Sequence, residues 1–190
     1  YLFTASFRSD GSSKFAPGYK WGTFPAIGAA WRISGENFMA GTTGWLDDLK
    51  FRLGWGKAGN QETRDFAYLS LVNSNPKYAV GSNPTPTPGT IVNGAVLGDF
   101  PIVHMTWDTV TTQNIGFDAL LLKTKFSFTF EYYHRLTEGI LQSIEIPKVI
   151  GALNNPVVNL ATVENSGVEM QLGFNEQVGD LGIHATANLT

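Results

Sequence analysis

With 190 residues, 15% of them charged and a net charge of −3, the chain can bury one domain core but offers no polybasic surface for nucleic acid. Cysteine is absent, which excludes disulfides, thiolate chemistry and Cys-ligated zinc. No apolar run approaches the roughly 18 residues that mark a transmembrane helix, and 13% aromatics with 21 glycines suit a β protein rich in turns.

Along the chain the dominant period is two. Tyr1, Phe3, Ala5 and Phe7 share one face of the first run, opposite Thr4, Ser6 and Arg8. A second run, about 21–33, sets Ile27, Ala29, Trp31 and Ile33 against Gly28, Ala30 and Arg32. The third sets Leu49, Phe51, Leu53 and Trp55 against Lys50, Arg52, Gly54 and Gly56. A more polar run follows at about 107–118, and then Phe126, Phe128, Phe130 and Tyr132 oppose Ser127, Thr129 and Glu131. Val168, Met170, Leu172 and Phe174 form the sixth apolar face, and Ile183, Ala185, Ala187 and Leu189 the seventh. The chain opens on Tyr1 and closes on Thr190 inside such patterns, so it reads as a piece of something larger.

The connections alternate in length. Residues 9–20 are moderate, 56–105 very long and 137–162 long, whereas 119–124 and 176–180 are tight; 34–47 is intermediate, with a helical turn expected from Ser34. Long loops on one rim and short turns on the other describe a transmembrane β-barrel meander. Several runs also reach the roughly 9–11 residues that cross a bilayer at a tilt. Their apolar faces carry no charge, and the reverse register would put Lys50 or Arg52 in lipid at about 2–4 kcal/mol each. Trp21, Trp31, Trp55, Trp107 and Tyr132 lie near strand ends, where interfacial girdles form. A secreted β-sandwich, binding or hydrolysing glycans, is the alternative, with the same faces turned into its core. The stretch 73–99, rich in Pro, Asn, Ser and Thr, reads as loop.

Chemical motifs are weak. Gly54, Gly56 and Gly59 spell G-x-G-x-x-G, but a dinucleotide-binding strand is buried on both faces and is followed about 20 residues later by an acidic residue. Here the strand alternates, and no Asp or Glu occurs between Asp65 and Asp99. Gly54 and Gly56 instead read as small residues on a lumen-facing row, with Gly59 starting the loop. DGSSK at 10–14 lacks the outer glycine and following helix of a phosphate loop, and reads as a turn. Asp47, Asp48, Asp108, Asp118, Glu131, Glu138, Glu145, Glu164 and Glu169 single out no catalytic pair, and His104, His134 and His184 have no metal-ligand spacing. No catalytic residue, metal or cofactor is expected.

Five segments carry a family resemblance. FRSDGSSKFAPGYKWGTFPAIGAAWRIS at 7–34 resembles the R-x-DGSS-x-F…WG-x-FPS-x-x-x-GWRIS segment of SusC/RagA-type TonB-dependent outer-membrane transporters. DLKFRLGWGKAGNQE at 48–62, TWDTVTTQNIGFDA at 106–119, FEYYHRLTEGIL at 130–141 and NLATVENSGVEMQL at 159–172 are similar to later segments of that family, in its order. FPIVHMTWD replaces the family's Asn-Pro-containing run before the fourth strand, and Ala26 stands where Ser is common.

The resemblance implies an all-β fold, with residues 1–190 forming about seven strands of a barrel of about 22; the plug domain and remaining strands are not part of it. It implies import of oligosaccharides or peptides across a Gram-negative outer membrane, in partnership with a SusD-like surface lipoprotein and with TonB, reached through an N-terminal region outside this chain. The apolar faces would meet lipid and the polar rows a lumen. For contact with cargo or partner the candidates are loop aromatics and an amide: Tyr19, Phe66, Tyr68, Tyr78 and Asn83. Aromatic rings suit sugar faces because they bury C–H surface.

Overall fold

The structure is a computed structural model and describes residues 1–79, 91–150 and 154–190. Its frame is one antiparallel sheet of seven strands: β1 (Leu2–Gly11), β2 (Trp21–Arg32), β3 (Leu46–Asn60), β8 (Asp108–Leu121), β9 (Phe126–Ser143), β10 (Val157–Val178) and β11 (Leu181–Leu189). Each strand pairs with the next in chain order, which makes the sheet a meander. Four short strands lie in the connection from β3 to β8. Of these, β4 (Leu71–Asn73) pairs with β7 (Val96–Asp99), and β5 (Lys77–Ala79) with β6 (Ile91–Asn93).

The register turns seven alternating strands into continuous rows, because residues directly opposite each other share a face. One row runs Phe3, Ala29, Leu53, Ile115, Tyr132, Val168. The next runs Trp31, Phe51, Phe117, Phe130, Met170, Leu189. Below it come Leu49, Ala119, Phe128, Leu172, Ala187, and then Leu121, Phe126, Phe174, Ala185. No charge interrupts these four rows. A fifth, Ala5, Ile27, Trp55, Gln113, His134, Ser166, is mixed, and the sixth already carries Lys57 and Glu164. From Leu121 to Gln113 the apolar zone extends about 27 Å along the strand at ~3.4 Å per residue. A strand tilt of ~40° reduces this to about 21 Å, close to the roughly 25 Å apolar band of an outer-membrane barrel.

This face is open rather than packed: Phe3 is 73% exposed and Leu172 57%. A sandwich needs a second sheet on it. Among the described residues the other sheets are two-stranded and belong to the connection from β3 to β8.

On one rim the described connections are short. Residues 33–45 hold two 3-10 helices, Ile33–Gly35 and Asn37–Thr42, in agreement with the helical turn expected near Ser34. The β8–β9 turn is tight enough to drive Leu122, Lys123 and Thr124 into left-handed backbone with φ of 55°, 61° and 62°. Asp47 Oδ2 steadies it by accepting the Thr124 N–H at 2.8 Å. The other rim carries residues 12–20 and the described parts of 61–107 and 144–156.

Three boundaries differ from the sequence reading. β9 and β10 run 18 and 22 residues, which shortens the expected 137–162 connection to 144–156. The described part of 73–99, expected as loop, contains short paired strands. Gly59, expected to start a loop, lies inside β3. A single-layer wall has no interior, so its buried cluster forms at the long-loop rim. There Phe15, Phe24, Ala67, Met105 and Trp107 come together from segments far apart in sequence, with Tyr19, Ile102 and Leu141 against them.

Candidate ligand-facing wall and rim

The face opposite the apolar rows is polar and partly stripped of side chains. Gly28 pairs with Gly54, and Ala26 with Gly56, so two adjacent strands present little beyond backbone. At Gly54 a Cβ would meet nothing nearer than Asn114 Cβ at 3.9 Å, so this position keeps open space in front of the wall. Gly54 and Gly56 are thus on the same face as Lys50 and Arg52, in adjacent rows, and a Cβ on Gly56 would come within 3.1 Å of Ala26 Cβ.

Beside this bare strip, charges are tied into a network. Asp118 sits 2.9 Å from Arg52 Nε and 3.2 Å from Lys50 Nζ. The Nε approach is an ion-pair contact without hydrogen-bond alignment; the aligned bond is Arg52 Nη2 donating to Asp118 Oδ1 at 3.1 Å. Arg52 Nη1 donates to Glu131 Oε2 at 3.0 Å, and Asn114 Nδ2 donates to Glu131 Oε1 at 2.8 Å. A guanidinium suits this role because its planar fork engages two carboxylates at once. Lower on the same face Arg32 pairs with Asp48 at 2.6 Å, with Ser34 donating to the same carboxylate. These carboxylates are matched by cations or amides, and among the described residues no group of three or more His, Asp or Glu could hold a metal ion. The arrangement fixes strand register and lines a polar surface.

At the long-loop rim, two segments of the quoted motifs brace each other. Lys14 Nζ donates to the Thr63 carbonyl at 3.0 Å and pairs with Asp65 at 3.5 Å. Trp107 Nε1 donates to the Lys20 carbonyl at 3.2 Å, and its ring packs on Phe15 and Phe24. Asn159 ties β10 to this rim, accepting from the Thr106 N–H at 3.0 Å and donating to the Thr106 carbonyl at 3.0 Å.

The sequence-expected contact residues fall in three places. Tyr19 packs on the buried cluster, and its hydroxyl lies 2.8 Å from His104 Nδ1. Phe66 and Tyr68 flank the buried Ala67, their rings edge to face at 6.3 Å, with Phe66 51% exposed in left-handed backbone at φ 54°. Tyr78 stands apart on β5, opposite Val92. Asn83 lies outside the described residues. Sequence reasoning did not single out His104, Phe15 or Met105. His104 is 85 positions from Tyr19, and no local pattern announces such a pairing.

Comparison with known proteins is consistent with this geometry. The sequence profile described as "TonB dependent receptor-like, beta-barrel" matches residues 1–190. The TonB-dependent receptor SusC of Bacteroides thetaiotaomicron is 36% identical over 173 residues, covering 90% of this chain and 17% of that protein. TonB-dependent receptor P39 of Formosa agariphila is 34% identical over 172 residues, covering 90% of this chain and 15% of its own length. The chain thus spans about a sixth of the length of these two TonB-dependent receptors. Among solved structures, the RagAB peptide importer in its "closed-closed" state superposes with a TM-score of 0.79 at 22% identity, covering 98% of this chain and 19% of that one. The "open-open" state of the same importer matches equally, with a TM-score of 0.79.

Proposed function

This chain belongs to the TonB-dependent receptor β-barrel family, and from that premise we propose that it is part of the wall of an importer in a Gram-negative outer membrane. The observation that carries this reading is the set of four uncharged rows spanning the sheet. Such a face suits hydrocarbon, where every backbone group must be paired and a charge is costly. The opposite face, with its glycine strip and matched charges, then lines the lumen. The long-loop rim faces outward and the tight turns face the periplasm.

Uptake is energised through TonB acting on a plug outside this chain, and a SusD-like lipoprotein covers the outer rim. The cargo is an oligosaccharide or a peptide, the second supported by the likeness of fold to a peptide importer. Phe66 and Tyr68 are the first-ranked contacts for cargo or lipoprotein, because an exposed aromatic in left-handed backbone is a strained arrangement of the kind that gathers at ligand clamps. Tyr19 has a more structural role, braced by His104, and Tyr78 and Asn83 are secondary candidates.

The test is made on the full-length protein. It should fractionate with the outer membrane, need detergent for extraction and migrate differently on gels with and without boiling. Capture of a SusD-like lipoprotein and TonB-dependent uptake of labelled glycans or peptides would complete the reading. A detergent-free soluble monomer would overturn it.

A further inference from the structure

At the long-loop rim the upper ends of β2 and β3 separate. Their ladder stops at Ala26 and Gly56. Beyond it Trp21 still pairs with Gly11 on β1, and Asn60 with Asp108 on β8. Pro25, next above the last rung, has no N–H to donate to a ladder. The Phe24 ring reaches into the split, since a Cβ on Gly22 or Gly59 would fall 2.4 or 2.0 Å from its Cζ. The facing edges, 21–25 of β2 and 57–60 of β3, therefore lack a partner strand on this side.

A cavity of about 430 Å³ opens at the split. Trp21, Thr23, Lys57, Thr109 and Glu138 line it, and alternation puts all five on the side of the uncharged rows. Its two charged groups, Lys57 and Glu138, have opposite signs. Thr109 and Glu138 face each other six residues above the Ile115–Tyr132 pair. That is roughly 20 Å along the strand, or about 16 Å along the membrane normal at a tilt of ~40°. Trp21 is 74% exposed. A Cβ on Gly11 would stand 3.1–3.2 Å from three consecutive carbons of its six-membered ring, so one indole face lies on that glycine and the other is open.

We propose that this cavity is an outward-facing saccharide site, which holds a sugar ring of an outer-leaflet glycolipid against Trp21. It rests on the reading that the apolar face meets the membrane. Cargo passes on the opposite side of the wall, whereas this cavity stands above the uncharged rows, at the level where the sugars of such a leaflet begin. The open indole face buries the C–H side of a sugar ring. Threonine hydroxyls both donate and accept, Lys57 donates and Glu138 accepts, and strand edges without a neighbour offer further backbone groups. Opposite charges in one cavity give no preference for an ionic headgroup, but sugar hydroxyls can use both.

The experiment uses the full-length protein in micelles of a dodecyl polyethylene glycol ether, titrated with dodecyl maltoside. Both detergents are uncharged and share one chain, so only the sugar differs. The change in tryptophan emission that is lost in Trp21→Phe reports on the site, and it should saturate with maltoside. Thr109→Val combined with Glu138→Ala should raise the concentration at half-change about five-fold. No Trp21-dependent change, or an unshifted titration in that double variant, overturns the site. Free maltose acting at the same concentration as the maltoside overturns the glycolipid as occupant. The membrane reading is checked separately, by quenching of Trp55 in nanodiscs of brominated phosphatidylcholine. Trp55 quenched while Trp21 stays silent rejects the saccharide site alone; Trp55 unquenched rejects the wall reading itself.

Discussion

A Cβ placed on Gly59 would fall 2.0 Å from Phe24 Cζ, closer than any two such atoms approach. The last glycine of the G-x-G-x-x-G is therefore set by an aromatic ring rather than by a nucleotide. Phe24 belongs to the buried rim cluster with Trp107, and β3 can pass behind it only without a side chain. Gly59→Ala should destabilise the full-length protein by roughly 1–3 kcal/mol through overpacking. Gly54→Ala, with 3.9 Å to its nearest neighbour, should stay within about 0.5 kcal/mol. Denaturant titrations in detergent micelles compare the two; equal costs would refute the ring-contact account.

Neighbouring positions on β8 should respond oppositely to charge. Ile115 lies in an uncharged row, and Ile115→Lys should cost about 2–4 kcal/mol in a bilayer. Asn114 projects to the other face beside Glu131, so Asn114→Lys should cost less than about 1 kcal/mol. Folding titrations into lipid vesicles measure both. A reversed order would mean that the faces are assigned the wrong way round.

The Arg52–Glu131 pair joins β3 to β9 across the intervening β8, at 3.0 Å. Both side chains keep some exposure, 34% and 21%, so solvent weakens the attraction. A double-mutant cycle with Arg52→Leu and Glu131→Gln should give a coupling of about 1 kcal/mol. A coupling near zero would reduce the network to coincidental proximity.

On the short-turn rim, Trp31 Nε1 donates to Glu36 Oε1 at 2.9 Å. That bond, followed by one from Tyr1, holds the Glu36 carboxyl below the ordinary carboxylate value. With the folded value depressed, the contribution is fully present above the unfolded pKa of ~4.3 and is lost as pH falls through the lower folded one. Trp31 emission should accordingly change with a midpoint below that of a free glutamate, and the change should vanish in Glu36→Gln. A midpoint at or above the free value would contradict the bond.

Phe66 tests the division between stability and transport. Its φ of 54° is natural for glycine and costly for an aromatic. Phe66→Gly should leave stability unchanged or raise it by about 1 kcal/mol, while cargo uptake or lipoprotein capture falls. Lost stability with normal uptake and capture would make Phe66 a packing residue.

What is legible in the sequence follows the contrast between the two faces of the sheet. Phe51, Leu53 and Trp55 alternate with Lys50 and Arg52 because only one side of β3 tolerates charge, and that contrast is visible residue by residue. The upper part of β10 was illegible for the complementary reason. Past Ser166 towards the long-loop rim, Glu164 and Thr162 stand on the side that is apolar lower down, so the alternation fades although the strand continues to Val157. The rim cluster was hidden differently. Phe15, Phe24 and Met105 meet only because distant segments fold together, and no local period encodes that meeting. Tyr19 was found as an aromatic in a loop, but its partner His104 could be seen only in three dimensions.

The pairing of β3 with β8 holds from Leu46 to Asn60 even though 47 residues, 61–107, intervene between the two strands. Closing a longer loop adds only about 0.6 kcal/mol per doubling of its length. The connection is therefore hung on a finished hairpin and tied to the rim near both its ends, by Thr63, Asp65 and Ala67 at one and by Met105 and Trp107 at the other. A different connection could be attached there without redrawing a single rung of the wall.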